Sequence, residues 1–443
     1  MEELLTMEQG ICAHAKSNPT KIAAVCGDDS ITYGELWQRI LAREAELIDL
    51  GAKPRRPFVY RASQDIDFIV TYCALHHMDA IAVPLGHDAP EEYLQEVSTQ
   101  VDSCSFADDI VDILYTTGTT GKSKGVMLSR TCLVSCADNF ITDLHFSSDL
   151  LFIISGPLNH IASLFKMHPM LTVGGTVCIL DGLKDMNAFF GVFDLPFRKF
   201  GCFLVPSCIR MLIQFSKDKL AALADRMDLI ETGTAPLTQW DMEQLSKLLP
   251  DTRLYNTYGG TEIGCVCTYN FNDGIYKEGC IGRPMKNSSI EVTADGDVIV
   301  SGRTIMSGYV ADEESTAQVL RDGKIYGSDL GYVDEDGMVH LKGRKGDVIN
   351  VGGYKVDPAE VENAAVSHPC VKDCICVAAK HPVIGTVLKL LVVLADGEVL
   401  DKRSLALHIK AKLEPHKVPT MYEAVDKVQR MYNGKPDRKF YKQ

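Results

Sequence analysis

Short apolar runs recur along the chain at 110–115, 151–154, 176–180, 202–205 and 229–232, each closed by turn residues and followed by helical spacing of apolar positions. Runs too apolar to alternate are typical of strands covered on both faces, and their alternation with helices predicts a parallel sheet with helices packed against it. In such sheets ligands sit at the carboxyl ends of the strands, so the loops after these runs are where chemistry is expected. Past residue 280 the texture changes. Strands there are joined by tight polar turns such as Ala294-Asp295-Gly296-Asp297 and Asp334-Glu335-Asp336-Gly337, which predicts a small β-rich module. A further unit begins near Gly346, with a strand over 347–351, a Gly352-Gly353 turn, and a helix with Asp357 as N-cap and Pro358 in its first position. Strands at 371–378 and 387–394, a helix from 401 to about 413 and a basic tail complete it.

Composition narrows the classes. A chain of 443 residues is longer than one hydrophobic core usually serves, and 46% hydrophobic residues are enough to bury two or three. Lys plus Arg number 45 against 59 Asp plus Glu, a formal charge of −14. No basic run offers a phosphate footprint, which excludes a general nucleic-acid binder, so any anionic ligand must be held locally. The opening stretch is acidic and lacks the apolar segment of a signal peptide. No apolar run approaches the ~20 residues of a membrane span, so a cytoplasmic protein is expected. The fifteen cysteines form no CxxC pair and mostly sit among apolar residues, which reads as reduced core thiols and not as a metal site.

The segment Tyr115-Thr116-Thr117-Gly118-Thr119-Thr120-Gly121-Lys122-Ser123-Lys124-Gly125 follows a predicted strand and precedes a helix expected to start near Ser129. Its glycines let backbone N–H groups turn inward, its hydroxyls add donors, and two lysines add charge, which together make a nest for a polyphosphate. A Walker A loop needs four residues between its first glycine and Gly-Lys-Ser; only Thr119 and Thr120 separate Gly118 from Gly121.

This segment resembles the phosphate loop of the adenylate-forming superfamily, which includes acyl- and aryl-CoA synthetases and adenylation domains. The resemblance continues in order through Asn18-Pro19-Thr20-Lys21-Ile22-Ala23, Ile31-Thr32-Tyr33-Gly34-Glu35-Leu36, Gly233-Thr234-Ala235-Pro236-Leu237 and Asn256-Thr257-Tyr258-Gly259-Gly260-Thr261-Glu262. It then runs through Ser328-Asp329-Leu330-Gly331, Gly343-Arg344, Gly352-Gly353 with Pro358 and Glu360, and Asn433-Gly434-Lys435. It implies an α/β fold: a large N-terminal adenylation core, residues 1–344, of parallel-sheet subdomains plus a β-rich module, then a small mobile α+β domain, residues 345–443.

The resemblance also implies roles. Gly233, Thr234, Ala235 and Pro236 would lie beside adenine, with Tyr258 stacking on the base, Asn256 recognising its exocyclic amine, and Thr257 and Gly259 in the same motif. Thr116 to Lys124 would hold the phosphates, Thr261 would donate to the α-phosphate, and Glu262 would supply the hard oxygen that Mg²⁺ prefers. Asp329 would accept from the ribose hydroxyls with Arg344 as its partner. Lys435 would reach the α-phosphate and the substrate carboxylate. Gly352 and Gly353 would line the pantetheine tunnel of coenzyme A, and Lys345 and Gly346 would form the hinge. His160, in a Pro-x-x-His pattern like that of acyl- and aryl-CoA synthetases, would close over the carboxylate side of the acid pocket.

The expected activity is ATP- and Mg²⁺-dependent formation of an acyl-adenylate, then transfer to coenzyme A. Family members that activate α-amino acids usually carry an aspartate in the stretch that here reads 156–163, and none stands there, so the resemblance implies a fatty or aryl acid over an amino acid. The segments that the resemblance places along the acid pocket, 161–165, 205–207 and 263–266, are apolar or small, so the acid is expected to have an uncharged body. An acyl carrier protein is the alternative acceptor, and an inactive acyl- or nucleotide-binding relative is the reading from another class; a homodimer stays open. The chain reads as shortened before residue 110: about thirty residues separate Pro84-Leu85 from the phosphate loop, too few for the strand-helix units expected there. Either that subdomain is trimmed or a partner covers the gap.

Overall fold

The computed structural model describes residues 5–117, 123–183, 185–277, 279–351, 354–381, 385–430, 436–438 and 440–441. Gly118, Thr119, Thr120, Gly121, Lys122, Gly352, Gly353 and Lys435 lie outside the described residues.

The chain opens with α1 (Met7–Ser17), where Thr6 and Gln9 satisfy each other's backbone N–H in a capping box. The hairpin β1 (Ile22–Cys26) and β2 (Asp29–Thr32) leads to α2 (Tyr33–Asp49), capped in the same way by Thr32 and Glu35. Then come β3 (Pro57–Arg61), α3 (Ile66–His77), β4 (Ile81–Leu85), α4 (Glu91–Asp102), β5 (Ile110–Thr117) and β6 (Ser123–Ser129). A single helix connects β4 to β5. Strands β3, β4 and β5 are parallel neighbours, while β5 and β6 pair antiparallel down to Thr117↔Ser123. The sequence reading took the segment after the glycine-rich loop directly into a helix. The structure instead runs seven residues of strand first, and α5 (Arg130–Asp143) begins after Ser129, whose side chain accepts from the Cys132 N–H.

The central part alternates as expected: β7 (Leu150–Ile154), α6 (Ile161–Thr172), β8 (Thr176–Ile179), α7 (Met186–Gly191), β9 (Lys199–Phe203), α8 (Pro206–Phe215), α9 (Lys217–Ala221), β10 (Met227–Thr232), α10 (Gln239–Leu248) and β11 (Arg253–Gly260). Strands β11, β10, β9, β7, β8 and β1 lie in that order, all parallel. The run predicted at 202–205 is displaced, since β9 ends at Phe203 and Pro206 opens the next helix with its preset φ.

The β-rich part comprises β12 (Gly264–Asn270), β13 (Cys280–Pro284), β14 (Ser288–Val292), β15 (Asp297–Gly302), β16 (Gly308–Tyr309), α11 (Glu313–Val319), β17 (Leu320–Arg321), β18 (Lys324–Val333) and β19 (Val339–Arg344). It continues the parallel sheet: β11 pairs antiparallel with β12, β12 with β13, and the order extends through β19, β18 and β15 to β14. Strand β16 leaves it to pair with β6, tying the two sheets together beside the glycine-rich segment.

The last part holds β20 (Ile349–Val351), β21 (Tyr354–Val356), α12 (Pro358–Val366), β22 (Val371–His381), β23 (Gly385–Leu394), α13 (Lys402–Lys410) and β24 (Met421–Ala424). The predicted strand at 347–351 loses its first two residues to a turn, in which the Asp347 and Val348 N–H groups donate to the Arg344 carbonyl. The predicted α12 start is met: Asp357 caps the Ala359 N–H and Pro358 follows it. Val361, Leu390, Leu405 and Ile409 are fully buried in an apolar cluster drawn from residues 349–422 alone. Among the described residues all fifteen cysteines are free, no group of three His, Cys, Asp or Glu side chains could hold a metal, and no helix is long and apolar enough to cross a membrane.

Candidate active site

The register of β18 and β19 sets Asp329 opposite Arg344, and Nε donates to Oδ1 at 2.7 Å. From β11, the Tyr258 hydroxyl donates to the other oxygen, Oδ2, at 2.6 Å. Burial and the Asp329 carboxylate push the Tyr258 phenol well above its ordinary value, so it remains a donor. Burial works against charge on Arg344, but the carboxylate beside it holds its pKa above the usual arginine range. A carboxylate offers about four lone-pair sites, so one donor on each oxygen leaves capacity for two further hydroxyls. Strand pairing sets Asp329 against Arg344, and the Tyr258 side chain joins them from β11, uniting three residues whose kinship the sequence carried only as spacing and resemblance.

The loop after β10 lies directly on β11. A Cβ at Gly233 would stand 2.7 Å from the Thr257 carbonyl oxygen and 2.9 Å from its hydroxyl, an approach only glycine allows. Thr234 then adopts φ +67°, a left-handed conformation that a β-branched residue reaches only with strain, and Ala235 and Pro236 follow. Asn256 donates from Nδ2 to the Cys280 carbonyl at 2.8 Å, which turns its amide oxygen, the atom suited to accept from an exocyclic amine, away from that carbonyl. The Thr257 hydroxyl is turned inward to Glu231 Oε1 and the Thr232 carbonyl, so its side chain serves the sheet. At Gly259 a Cβ would fall 2.4 Å from the Gly264 carbonyl oxygen, which keeps the β11–β12 turn tight.

That turn carries Thr261 and Glu262. Glu262 Oε1 accepts from the Tyr309 hydroxyl at 3.1 Å. The same tyrosine ring lies 4.7 Å from the Lys124 ammonium, which also donates to Ser315 Oγ at 2.7 Å and stands 3.7 Å from Asp312. Tyr309 therefore links the cation expected at the phosphates to the carboxylate expected at the metal; the sequence reading did not identify it. Thr116 faces Lys124 across the hairpin, and its carbonyl accepts from Ser123 Oγ. Mg²⁺ takes one or two protein carboxylates and completes its shell with phosphate oxygens and water, so Glu262 with the neighbouring Thr261 hydroxyl fits such an ion without an all-protein cage.

Strand β7 leads to β8 on one side, and the next strand, β9, lies on its other side. The two connections diverge at the carboxyl ends of β7 and β9, a switch point where open α/β sheets form a crevice. His160 stands there as the residue preceding α6, and burial lowers its imidazole to about 4, leaving it neutral near pH 7. Gln64 braces the loop before it, donating to the Gly156 and Leu180 carbonyls and accepting from the Leu158 N–H. A charged pair lies just outside the segments read as apolar or small. Lys166 on α6 and Glu231 on β10 form a buried pair beside this crevice, Nζ to Oε1 2.8 Å. A lysine inside the run Leu164-Phe165-Lys166-Met167 was the sequence signal for it.

Lys345 pairs with Asp297, and a Cβ at the neighbouring Gly346 would meet nothing within 4 Å, so that glycine answers no steric demand. Gly343 does: at φ +116° its Cβ would overlap the Asp357 carboxylate, which burial raises to about 6.

The family of AMP-binding enzymes matches residues 99–310, and the C-terminal domain of AMP-binding enzymes matches residues 360–435. A feruloyl-CoA synthase from an Amycolatopsis species is 27% identical over 478 residues, covering 95% of each chain. An indoleacetate–CoA ligase from Aromatoleum aromaticum is 30% identical, covering 73% of this chain and 65% of its own. The crystal structure of ATP-bound MatB from Rhodopseudomonas palustris superposes with a TM-score of 0.87 at 24% identity over 99% of both chains, a likeness of fold. The chain belongs to the adenylate-forming family of AMP-binding enzymes, in its acyl- and aryl-CoA ligase branch.

Proposed function

We propose that the protein uses ATP to activate a carboxylic acid without an α-amino group and passes the acyl group to coenzyme A. The observation that carries this reading is the Tyr258–Asp329–Arg344 unit, a carboxylate held by a phenol and a guanidinium with lone pairs left for a ribose. Adenine would lie on the Gly233 loop and against Tyr258, with the Asn256 amide at its exocyclic amine. The phosphates would run toward Thr261, Glu262 and the segment from Thr116 to Lys124. Bound Mg²⁺ would neutralise phosphate charge there.

In the first half-reaction a carboxylate oxygen attacks the α-phosphorus, the bond to the β-phosphate bridging oxygen breaks, and pyrophosphate leaves with its electron pair. Thr261 and Lys435 would stabilise charge on the α-phosphoryl oxygens. Neutral His160 would close the acid side and exclude water without exchanging a proton. In the second half-reaction the thiolate attacks the acyl carbon and AMP leaves; Gly352 and Gly353 would let the thiol arm approach. Residues 345–443 would move as a unit against residues 1–344 between the two steps, pivoting at Lys345 and Gly346.

The test is isotopic pyrophosphate exchange over a panel of acids. Lys435→Ala should abolish exchange while thiolysis of supplied acyl-adenylate persists. ADP as a product, or equal loss of both half-reactions, would overturn the assignment of roles.

A further inference from the structure

The buried pair beside the crevice is assigned no role in the activation chemistry proposed above. Lys166 and Glu231 are 3% and 0% exposed, and the Thr257 hydroxyl donates to the same Glu231 oxygen that Lys166 holds. The Lys166 ammonium lies 4.4 Å from the ring centre of Phe140 and 4.8 Å from that of Phe203. Glu231 Oε2 is buried with no hydrogen-bond partner. Of the three N–H donors an ammonium carries, one meets an oxygen among the described residues. An apolar pair of the same volume would usually stabilise the interior as well or better, so this incomplete pair calls for a ligand that completes it.

Its place in the fold supports that. Phe203 ends β9, Glu231 is the next-to-last residue of β10, and Thr257 precedes Tyr258 on β11, so all three stand at carboxyl ends of parallel strands beside the switch point. Lys166 lies six residues beyond His160, a rise of about 9 Å along α6. Ile161, Phe203 and Ile263 are only partly buried around the same core.

We infer that Lys166 and Glu231 recognise a neutral hydroxyl at the end of the substrate acid remote from its carboxylate. The inference rests on the acid-activating function proposed above. A second carboxylate would leave the buried group with net negative charge, and an ammonium with net positive charge, both costly out of water. A hydroxyl accepts from Lys166 Nζ and donates to Glu231 Oε2, completing both without adding charge. A ring, or a chain of similar length, would span the rise of about 9 Å from the His160 end to the pair.

The test compares kcat/KM for matched acids in pyrophosphate exchange: para-hydroxycinnamate against cinnamate, and ω-hydroxydecanoate against decanoate. The wild-type protein should favour the hydroxylated member of at least one pair by on the order of 10²-fold, because its analogue leaves buried polar groups unpaired. The arm that shows the preference identifies the aryl or aliphatic frame. Lys166→Met/Glu231→Leu, which removes both charges together, should reduce the preference to within about threefold, while stabilisation by ATP alone, read as a melting shift, persists. Equal rates within both pairs, or a double variant that keeps the wild-type preference, would overturn the inference alone. No exchange with any acid would overturn the proposed function and the inference with it. The wild-type ratios are read on the native protein and do not depend on the variant folding.

Discussion

Arg344–Asp329 and Lys166–Glu231 have nearly the same contact length, 2.7 and 2.8 Å, in very different surroundings. The Arg344 side chain is 45% exposed and Asp329 14%, whereas Lys166 and Glu231 are 4% and 0%. A partly solvated pair can exchange one partner for a ligand hydroxyl at little expense, because water already screens it. A sealed pair cannot, since each member supplies the opposite charge that keeps the other ionised in a low-dielectric interior. The first arrangement suits a nucleotide that comes and goes with every turnover; the second suits recognition by a group that must match it.

Removing one member of each pair should separate them most sharply. Lys166→Met leaves the Glu231 carboxylate alone in the core and should destabilise the fold by about 3–5 kcal/mol in denaturant unfolding, with the double replacement recovering most of that. Asp329→Asn should barely move the unfolding midpoint. It should instead raise the KM for ATP by roughly 10- to 100-fold in initial-rate measurements, the scale of hydrogen bonds to a charged group. If the two variants showed the same balance of stability and binding loss, the contrast between the pairs would fail.

A second sealed polar cluster extends the contrast to pH. Tyr72 donates to Asp112 at 2.5 Å and meets His168 Nε2 at 2.9 Å, while His76 pairs with the other Asp112 oxygen at 2.7 Å. Burial, with the neighbouring His76 charge, lowers His168 from 6.5 to about 4. Between those values the unfolded chain binds a proton that the folded chain refuses. Stability is therefore complete above pH 6.5 and declines on acidification, by at most about 1.4 kcal/mol per pH unit for this group. His76, held above its ordinary value by Asp112 despite its burial, acts in a higher window and with the opposite sign. Unfolding midpoints at pH 6.5 and 5 should show the decline, and His168→Gln should flatten it. The smallest effect is expected at Tyr309→Phe, which keeps the ring beside Lys124 but removes the hydroxyl that Glu262 accepts. A stability loss of about 1 kcal/mol and a severalfold higher Mg²⁺ concentration for half-maximal ATP-dependent melting shift should follow.

What the chain disclosed in advance was local. Asp357 and Pro358 announce a helix start because capping and a fixed φ are properties of adjacent residues, and the parallel strands were legible because burial on both faces writes itself as an apolar run. Strand β6 was missed because Ser123, Lys124 and Gly125 look like loop residues until β5 pairs with them. Glu231 was read only as part of a strand, and Lys166 not at all. Their partnership crosses 65 positions and exists only after α6 packs on the sheet. The same holds for Tyr309, 47 residues from Glu262 and brought to it by a two-residue strand. Positions recognised by resemblance, such as Tyr258, Asp329 and Arg344, came together, but Asp329 meets Arg344 through the register of β18 on β19 and Tyr258 reaches them with its hydroxyl from β11, which no single motif displays.

The bond between β12 and β13 is short, Cys267↔Pro284 and Thr268↔Arg283, yet through it the hydrogen-bond ladder passes from β2 at one edge to β14 at the other. The Gly233 loop and the Asp329–Arg344 pair hang from that same ladder on either side of the joint. Those two parts are thus woven into one fabric and are not a seam between two bodies, so a displacement of Asp329 is carried through the ladder to the strand that bears Tyr258.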